Sequence, residues 1–355
     1  MSKRVLITGG AGFVGSTLGI GLAQRYPTWK ITALDNLKRR GSELNLSRLK
    51  QAGIQFVHGD IRSKEDLDPI ALQPELILEC SAEPSVLAGY TSPGYLLQTN
   101  LVGTINCLEL ARQTQSDFIF LSTSRVYPIA YLRDLVFTES ATRFELSDRQ
   151  SLVGVSSQGI AEEFPLNKAR SLYGATKLAS ELLIAEYADA YGMRTLIDRC
   201  GVLTGPWQMG KVDQGVFALW MAFHYFQKPL KYIGYGGTGK QVRDFLHVAD
   251  LLDLIDIQIH NLDKFTGETF NVGGGANNTL SLCETTQLCQ EITGNQVKID
   301  PILETRSGDV PIFITDSQKV MAATGWYPTR NAKTTLIEIY EWIQQFERQV
   351  SGIFN

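Results

Sequence analysis

The sequence predicts an α/β fold, a doubly wound parallel sheet covered by helices on both faces and followed by a smaller mixed α/β lobe. Short runs of β-branched and aromatic residues alternate with helix-length segments from the start of the chain, which is typical of a parallel sheet. A glycine-rich segment, Thr8–Gly15, joins the first such run to an amphipathic one. The alternation weakens after about Gly201, where Gly and Pro interrupt mixed segments.

We assign the elements in chain order from these runs. Strands are expected at Val5–Thr8, Ile31–Leu34, Gln55–His58, Leu76–Glu79, Phe118–Ser122 and Thr195–Asp198, and helices near Gly12–Arg25, Gly94–Gln113 and Ser171–Tyr191. The polar stretch Glu139–Arg170 has no clear period and predicts a long ordered loop, with a disordered linker as the alternative. The sheet domain is expected to span 1–200, with a return segment near 240–272, and the second lobe 201–355.

Composition narrows the class of protein. The 355 residues carry a formal net charge of −4 without a basic stripe, so neither nucleic acid nor an anionic membrane is an expected partner. Five cysteines without a CxxC pair indicate reduced thiols and a cytoplasmic location. No run of about 18 apolar residues predicts a membrane span, the run Val5–Ile7 is too short for a secretion signal, and no metal is expected.

The glycine-rich segment predicts a dinucleotide site. Gly9, Gly12 and Gly15, with Phe13 and Val14 between them, form a tight turn that lets backbone N–H groups and a helix N-terminus approach a pyrophosphate. Glycines at this spacing also serve helix packing, so the motif alone is weak.

Acidic residues at the ends of the second and third strands strengthen this interpretation. Asp35, about 20 residues beyond the last glycine, is placed to accept the adenosine ribose hydroxyls and to repel a 2′-phosphate. The cofactor is therefore expected to be NAD, although Lys38–Arg40 leaves NADP as an alternative. Asn36 and the pair Asp60–Ile61 follow the same strand ends and are expected at the adenosine, with helix capping as the other interpretation of Asp60.

A phenol and an ammonium group four residues apart, Tyr173 and Lys177, predict an acid–base pair on one helix face. A cationic neighbour lowers a phenol's pKa, so the tyrosinate can accept a hydroxyl proton. Tyr26 and Lys30 have the same spacing but lie between the first helix and the second strand, away from the ligand-binding edge of the sheet. Hydroxyl groups at the end of the fifth strand, including that of Thr123, can form a hydrogen bond with the substrate's reacting oxygen.

Together these motifs resemble the extended short-chain dehydrogenase/reductase family of NAD-dependent sugar-nucleotide epimerases and dehydratases, which has a Rossmann-type fold. The blocks that carry the resemblance are Thr8–Gly15, Asp35–Leu37, Asp60–Arg62, Thr123 with Tyr127, Tyr173 with Lys177, and Arg243–Asp250. Three less specific stretches resemble its CDP-paratose (CDP-tyvelose) 2-epimerase branch: Asn36–Gly41, Thr142–Phe144 and Asp213–Gly215.

The resemblance implies roles for residues that spacing alone does not assign. It implies a catalytic triad of Thr123, Tyr173 and Lys177, further cofactor contacts from Ser81, Ala82 and Asn100, and substrate contacts from Ser124, Arg125, Gln214, Arg243 and Arg306. The two arginines named last are expected to clamp a diphosphate, since guanidinium groups form paired charged hydrogen bonds; a surface ion pair is the alternative. A homodimer formed through the helices near 94–113 and 171–191 is also implied.

The positions after Thr123 favour one reaction over another. A 4,6-dehydratase needs an acid and a base there, but the chain has Ser124 and Arg125, so inversion of a carbinol centre is expected, at C2 of a CDP-linked hexose or deoxyhexose. The alternatives are a UDP-sugar 4-epimerase, a dehydratase or dehydrogenase, and a non-catalytic binding relative. Glu79, Pro128 and Val202 depart from the usual family pattern, and the first of these departures is expected to affect the nicotinamide side only modestly. In the last of the family blocks, His247 is expected to be a packed side chain and Asp250 a helix cap.

Overall fold

The computed structural model describes residues 2–211 and 214–354. The strands are β1 (Arg4–Thr8), β2 (Lys30–Asp35), β3 (Gln55–His58), β4 (Leu76–Glu79), β5 (Asp117–Thr123), β6 (Phe137–Glu139), β7 (Phe144–Leu146), β8 (Val155–Ser156), β9 (Gly159–Ile160), β10 (Thr195–Cys200), β11 (Val202–Thr204), β12 (Leu230–Ile233), β13 (Val242–His247), β14 (Thr269–Val272), β15 (Thr279–Ser281), β16 (Ile299–Ile302) and β17 (Ile312–Phe313).

The helices begin directly after the glycine-rich segment. They are α1 (Phe13–Arg25), α2 (Asn45–Gln51), α3 (Pro69–Leu72), α4 (Ala88–Thr91), α5 (Pro93–Leu97), α6 (Gly103–Thr114), α7 (Ile129–Arg133), α8 (Leu172–Tyr191), α9 (Val216–Tyr225), α10 (Val248–His260), α11 (Leu262–Phe265), α12 (Leu282–Thr293), α13 (Gln318–Thr324), α14 (Ala332–Gln345) and α15 (Glu347–Val350). The single helix expected near 94–113 is interrupted, since a π-helical turn, Gln98–Val102, lies between α5 and α6.

The doubly wound sheet is confirmed. Its seven strands run in the order β14-β10-β5-β4-β1-β2-β3, and the pairs from β5 to β3 are parallel. Every residue of Leu76–Glu79 is buried, as expected for an inner strand covered on both faces. The strand order reverses between β1 and β4, and ligands of such sheets bind where this reversal occurs, beyond the carboxyl ends of the strands.

The chain divides into two compact units. The first contains 1–123, 172–199 and 251–270, and the second contains 124–171, 200–250 and 271–355. The sequence predicts a sheet domain that spans 1–200, whereas residues 124–171 group with the second unit. The returning segment is 251–270 rather than 240–272. Which ligand each unit binds stays a prediction.

The second unit contains several small sheets. Strands β11, β13 and β15 form one sheet in that order, with β17 also paired to β13. The stretch 139–170, expected to be a loop, contains only the last residue of β6 and the short strands β7, β8 and β9. These strands form the antiparallel pairs β6–β7 and β8–β9. Phe144 of this stretch packs in a buried cluster with Val242 and Ile312, so at this end the stretch is part of the core.

In 2–211 and 214–354 no helix is long and apolar enough to cross a membrane. Within the same ranges no group of three or more His, Cys, Asp and Glu side chains could hold a metal ion.

Candidate active site

The glycine-rich loop between β1 and α1 forms a cradle that side chains would fill. A Cβ at Gly15 would lie 2.3 Å from the Gly9 carbonyl oxygen, and one at Gly9, where φ is +63°, would lie 2.9 Å from the Cys80 carbonyl oxygen. Gly12 is the N-cap of α1 without a side-chain cap, and the first turn, which begins with Phe13 and Val14, has no acidic residue. Its N–H groups and the positive end of the helix dipole therefore suit an anionic ligand.

Asp35, the last residue of β2, is tied to this loop. Its carboxylate accepts hydrogen bonds from the backbone N–H of Ala11 (3.1 Å) and of Leu37 (2.8 Å). Burial raises the pKa of Asp35, and the backbone hydrogen bonds act in the opposite direction. The same carboxylate thus holds the loop and lies beside it, where a ribose would be recognised.

Asn36 and Asp60 are brought together from the ends of β2 and β3. Asn36 Nδ2 donates to Asp60 Oδ2 at 2.9 Å, and Arg62 Nη2 lies 2.5 Å from the same oxygen. The hydrogen bond from Arg62 holds the pKa of Asp60 well below its usual range. Ile61 is buried, and its carbonyl accepts a 2.8 Å hydrogen bond from Asn106. Asn36 and Asp60 therefore form a polar pair, and the neighbouring Ile61 is apolar and buried.

Helix α8 carries Tyr173 and Lys177 on its buried face. Its sequence is rich in Ala, Leu and Glu, which are strong helix formers, and Tyr173, Lys177 and Glu181 follow each other at four-residue intervals along one buried stripe. Tyr173 is 7% and Lys177 2% exposed. The Lys177 ammonium lies 3.8 Å from the ring centroid of Phe120 in β5, a cation–π contact that helps to keep the charge in a buried place.

Thr123, the last residue of β5, is 8% exposed, and the residue before it is bonded to α8. Ser122 Oγ donates a short hydrogen bond to Glu181. Glu181 in turn forms a buried ion pair with Arg199 of β10, with Nη2 2.8 Å from Oε2. This bonding joins the strand end that bears Thr123 to the helix that bears Tyr173 and Lys177.

Asn100 lies in the π-helical turn before α6, and it links the loop after β4 to α8. Its Oδ1 accepts from the Glu83 N–H at 2.8 Å, and its Nδ2 donates to Thr176 Oγ1 at 3.4 Å. Ser81 and Ala82 lie half-buried at the start of that loop. Turns of this type occur frequently at functional sites, and here the turn lies against the helix of the tyrosine and lysine.

The predicted substrate residues Ser124, Arg125, Gln214, Arg243 and Arg306 belong to the second unit. Ser124 and Gln214 are half-buried, and Asp213, named with Gln214 in the sequence analysis, lies outside the described residues. Arg125 and Arg243 both contact the segment Arg306–Val310. Arg243 forms an ion pair with Asp309 at 2.8 Å, and Arg125 donates to the Gly308 carbonyl at 3.2 Å.

Arg133 was not singled out by the sequence. Its Nε donates to the Asp309 carbonyl at 3.0 Å and its Nη2 to the Arg306 carbonyl at 3.3 Å. Three arginines from separate elements therefore hold the segment that bears a fourth. The signal, an arginine at the end of a short helix, is too common to have been informative.

The end of the Arg243–Asp250 block differs from one expectation. The sequence predicts that Asp250 is a helix cap and that His247 is a packed side chain. His247 is buried, and its Nδ1 accepts from the Ala249 N–H at 3.1 Å, so the histidine makes the local contact at this helix start. Asp250 instead binds Arg330 and Thr329. The interpretation of Asp250 as a helix cap was wrong, because the groups that its carboxylate binds lie far along the chain.

The family is shown by similarity to known proteins. The model of the NAD dependent epimerase/dehydratase family matches residues 5–273. The chain belongs to this family. It is an NAD-dependent enzyme of that class, as the motifs of the glycine-rich loop and of α8 predict.

Individual relatives span nearly the whole chain. The CDP-paratose 2-epimerase of Salmonella typhi is 31% identical over 96% of this chain and 98% of its own length. The dTDP-glucose 4,6-dehydratase of Salmonella typhimurium is 25% identical over 96% and 92%. Among solved structures, the UDP-glucose 4-epimerase of Thermus thermophilus in complex with NAD is 25% identical, with a TM-score of 0.76, and the match covers 97% of this chain and 99% of that one.

The residues at the sheet edge fit the family's cofactor. The cradle at Gly9 and Gly15 would be closed by any side chain, α1 offers an uncapped N-terminus, and Asp35 lies at the end of β2 beside both. Lys38 is the first of the three basic residues that leave NADP as an alternative cofactor. Its ammonium group lies 5.7 Å from the Tyr95 ring centroid.

We expect Asp35→Ala to weaken NAD binding and to reduce the preference for NAD over NADP. The substitution removes both the charge that repels a 2′-phosphate and the acceptor of the Ala11 and Leu37 N–H groups. Asp35→Asn is the matched control, because it keeps an acceptor oxygen and should change selectivity more than it changes NAD affinity. Calorimetric titration with each dinucleotide measures both effects. Tighter binding of NADP by the unaltered protein would contradict the prediction.

Proposed function

We propose that the protein is an epimerase of a nucleotide-diphosphate sugar and that it inverts C2 of a CDP-linked hexose or deoxyhexose. The observation that carries the proposal is the set of side chains around the end of β5. Thr123, Tyr173 and Lys177 are all present and buried in one unit, whereas Ser124 and Arg125 stand where elimination needs an acid and a base. The 31% identity to a CDP-paratose 2-epimerase supports the choice of carbon and nucleotide.

In the proposed mechanism Tyr173 is the base. Its phenolate takes the proton of the substrate hydroxyl, and Lys177, one helical turn further on, stabilises the phenolate by its charge. Thr123 shares a hydrogen bond with the reacting oxygen. NAD, when bound, supplies an acceptor that takes a hydride from the same carbon and gives it back. After the keto sugar has presented its other face, Tyr173 returns the proton.

Substrate binding is assigned to the second unit. Arg243 and Arg306 would hold the diphosphate by charged hydrogen bonds. The ion pair between Arg243 and Asp309 keeps the Arg243 guanidinium in a defined position, and 16% of that side chain is exposed. Such preorganisation reduces the entropy that binding would otherwise cost. Ser124, Arg125 and Gln214 are assigned to the sugar and its nearest phosphate.

A UDP-sugar 4-epimerase is the second candidate. It is supported by the likeness to the Thermus thermophilus enzyme, and it requires the same acid–base pair. The two candidates differ only in the nucleotide and in the carbon that is oxidised. A dehydratase, although relatives of that kind are similar to this chain, is disfavoured by Ser124 and Arg125.

Incubation with a panel of nucleotide sugars in heavy water, followed by NMR, tests the proposal. We expect inversion of one centre without loss of water and without accumulation of NADH. Because the hydride returns to the carbon it left, a substrate deuterated at that carbon should keep its label, and solvent deuterium should not enter there.

The outcomes separate the candidates. A 4-keto-6-deoxy product, or solvent deuterium at the inverted carbon, would overturn the mechanism. Inversion at C4 alone would leave the mechanism intact and replace C2 by the second candidate.

We further propose that the protein is a homodimer formed through α5, α6 and α8. Leu97 on α5 and Leu182 on α8 are 38% and 63% exposed, although both side chains are apolar. Exposed apolar side chains on neighbouring helices favour association. The cytoplasmic location stays a prediction from the cysteine content.

A further inference from the structure

Glu79 is a carboxylic acid at a place that solvent does not reach. It is the last residue of β4, with 0% of its surface exposed, and it lies where the strand order of the sheet reverses. Its partners in register are Thr8 in β1 and Phe120 in β5. A carboxyl group buried in this way is costly unless it is hydrogen-bonded, paired with a charge or protonated.

A positive charge lies on the same face of the sheet. Residues in register on adjacent strands point to the same side and are about 5 Å apart, so the side chain of Glu79 runs alongside Phe120. The ring of Phe120 is the one beneath the Lys177 ammonium. Glu79 is therefore next to the group that is proposed to activate Tyr173.

A shared hydroxyl proton connects Glu79 to the π-helical turn. Thr104 Oγ1 lies 3.2 and 3.1 Å from the two carboxylate oxygens of Glu79 and 2.9 Å from the carbonyl oxygen of Asn100. A hydroxyl has one proton to donate. When Thr104 gives it to the carbonyl, a protonated Glu79 can donate to Thr104, and when Thr104 gives it to Glu79, an ionised carboxylate is satisfied. Ser180 Oγ, 3.2 Å from the same carbonyl oxygen and 3.1 Å from that of Thr176, can donate its proton to either.

Both protonation states of Glu79 are accessible near neutral pH. Burial raises the pKa of Glu79 to about 7, while the charge of Lys177 and the hydrogen bond from Thr104 lower it. The other titratable groups that interact with it are two thiols, Cys80, the residue after the strand, and Cys107 in α6. The pKa of each thiol is raised by burial and then by the charge of Glu79.

We propose that Glu79 is a counter-ion of Lys177 and, through it, sets the pH at which the Tyr173 phenol ionises. The proposal rests on the proposed function, in which Tyr173 and Lys177 are the acid–base pair. An ionised Glu79 balances the ammonium, so loss of the phenol proton would leave a net negative charge in a buried place and is disfavoured. A protonated Glu79 leaves the ammonium to be balanced by the phenolate, which favours that loss. Glu79 is a positioning residue, since it acts through Lys177.

Glu79→Gln tests this, because it keeps the shape and removes the charge. The phenol of Tyr173 is titrated in the NAD-bound protein by the ultraviolet absorbance of tyrosinate, taking the difference from the same protein carrying Tyr173→Phe. We expect the midpoint to fall by about one pH unit or more. The wild-type curve, broadened by coupling to Glu79, should become a single ionisation. The acidic limb of kcat/KM should move in the same direction.

Two further variants make the test robust. Asp198→Asn is the matched control: Asp198 is another fully buried acid of the first unit, its pKa is raised by burial to about 7, and its hydrogen-bond partner is Gln258. This variant should leave the curve unchanged. If Glu79→Gln does not fold, Thr104→Val should lower the midpoint by a smaller amount, because a carboxyl group without its donor stays protonated to higher pH.

The outcomes distinguish a failure of the role proposed for Glu79 from a failure of the proposed function. An unchanged midpoint and shape in Glu79→Gln, or in Thr104→Val where that variant replaces it, overturns the role of Glu79. If Tyr173→Phe abolishes turnover at the same time, the proposed function survives. Retained turnover in Tyr173→Phe overturns the proposed function itself, whatever the titration of Glu79 variants gives.

Discussion

Tyr173→Phe is expected to lower turnover by at least about a hundredfold, because it removes the only ionisable atom of the proposed base. The ring stays, so the buried face of α8 keeps its packing. The groups that fit NAD, the glycine-rich loop and Asp35, are untouched. The measurement is the epimerisation rate on whichever nucleotide sugar the NMR panel identifies, together with the amount of NAD bound to the purified protein.

Tyr187→Phe on the same helix is the matched control. Its hydroxyl donates to Glu109 at 2.6 Å, and burial, followed by this carboxylate, raises the pKa of Tyr187 to about 12. A phenol held in its protonated form cannot act as a base at neutral pH, so the control should turn over at close to the wild-type rate. Equal rates in the two variants would move the chemistry away from Tyr173.

Glu181→Gln is expected to lower the free energy of unfolding by about 3 to 5 kcal/mol, because it removes one partner of a buried ion pair and leaves the other charge buried. Arg199 donates to Glu181 Oε2 from Nε at 3.1 Å and from Nη2 at 2.8 Å. The Glu181 side chain is 5% exposed and the Arg199 side chain 8%. The carboxylate also accepts from Ser122, so the end of β5 loses an anchor as well. Denaturant unfolding followed by circular dichroism measures the change.

The same substitution in an exposed ion pair provides the comparison. Glu291 pairs with Lys333, and both side chains are more than half exposed, so Glu291→Gln should cost less than about 1 kcal/mol. If Glu181→Gln were no more destabilising than Glu291→Gln, the buried pair would not be what fastens α8 to the sheet.

Most of the sheet could be predicted because its signals are local, and the candidate cofactor site was predicted from local signals of the same kind. The strand Gln55–His58 and the strand Leu76–Glu79 were predicted with the bounds that the structure has, since each is a short apolar run between turn residues. The glycine spacing and the tyrosine–lysine spacing depend on the geometry of one turn and one helix. A residue's neighbours within about four positions are sufficient to define such features.

Errors arose where a residue's role depends on distant parts of the chain. Asp250 looked like a cap, but it binds a segment eighty residues away, at Arg330. The stretch 124–171 follows β5 without a compositional break, yet it belongs to the second unit, because its apolar residues, such as Phe144, are buried against β13 and β17.

The sequence by itself therefore determined the α/β class and the family, and it predicted the dinucleotide loop and the pair Tyr173 and Lys177. Only the tertiary structure decided which charges accompany that pair. Glu181 could be placed on the same helix face by counting, but its partner Arg199 could not. From the sequence, Glu79 is expected to be a departure of small effect. Its complete burial and its neighbours Phe120 and Thr104 are visible only in the structure. The reason is physical: the energy of a charge depends on its solvent exposure and on all groups within a few ångströms, and folding, not sequence order, brings those groups together.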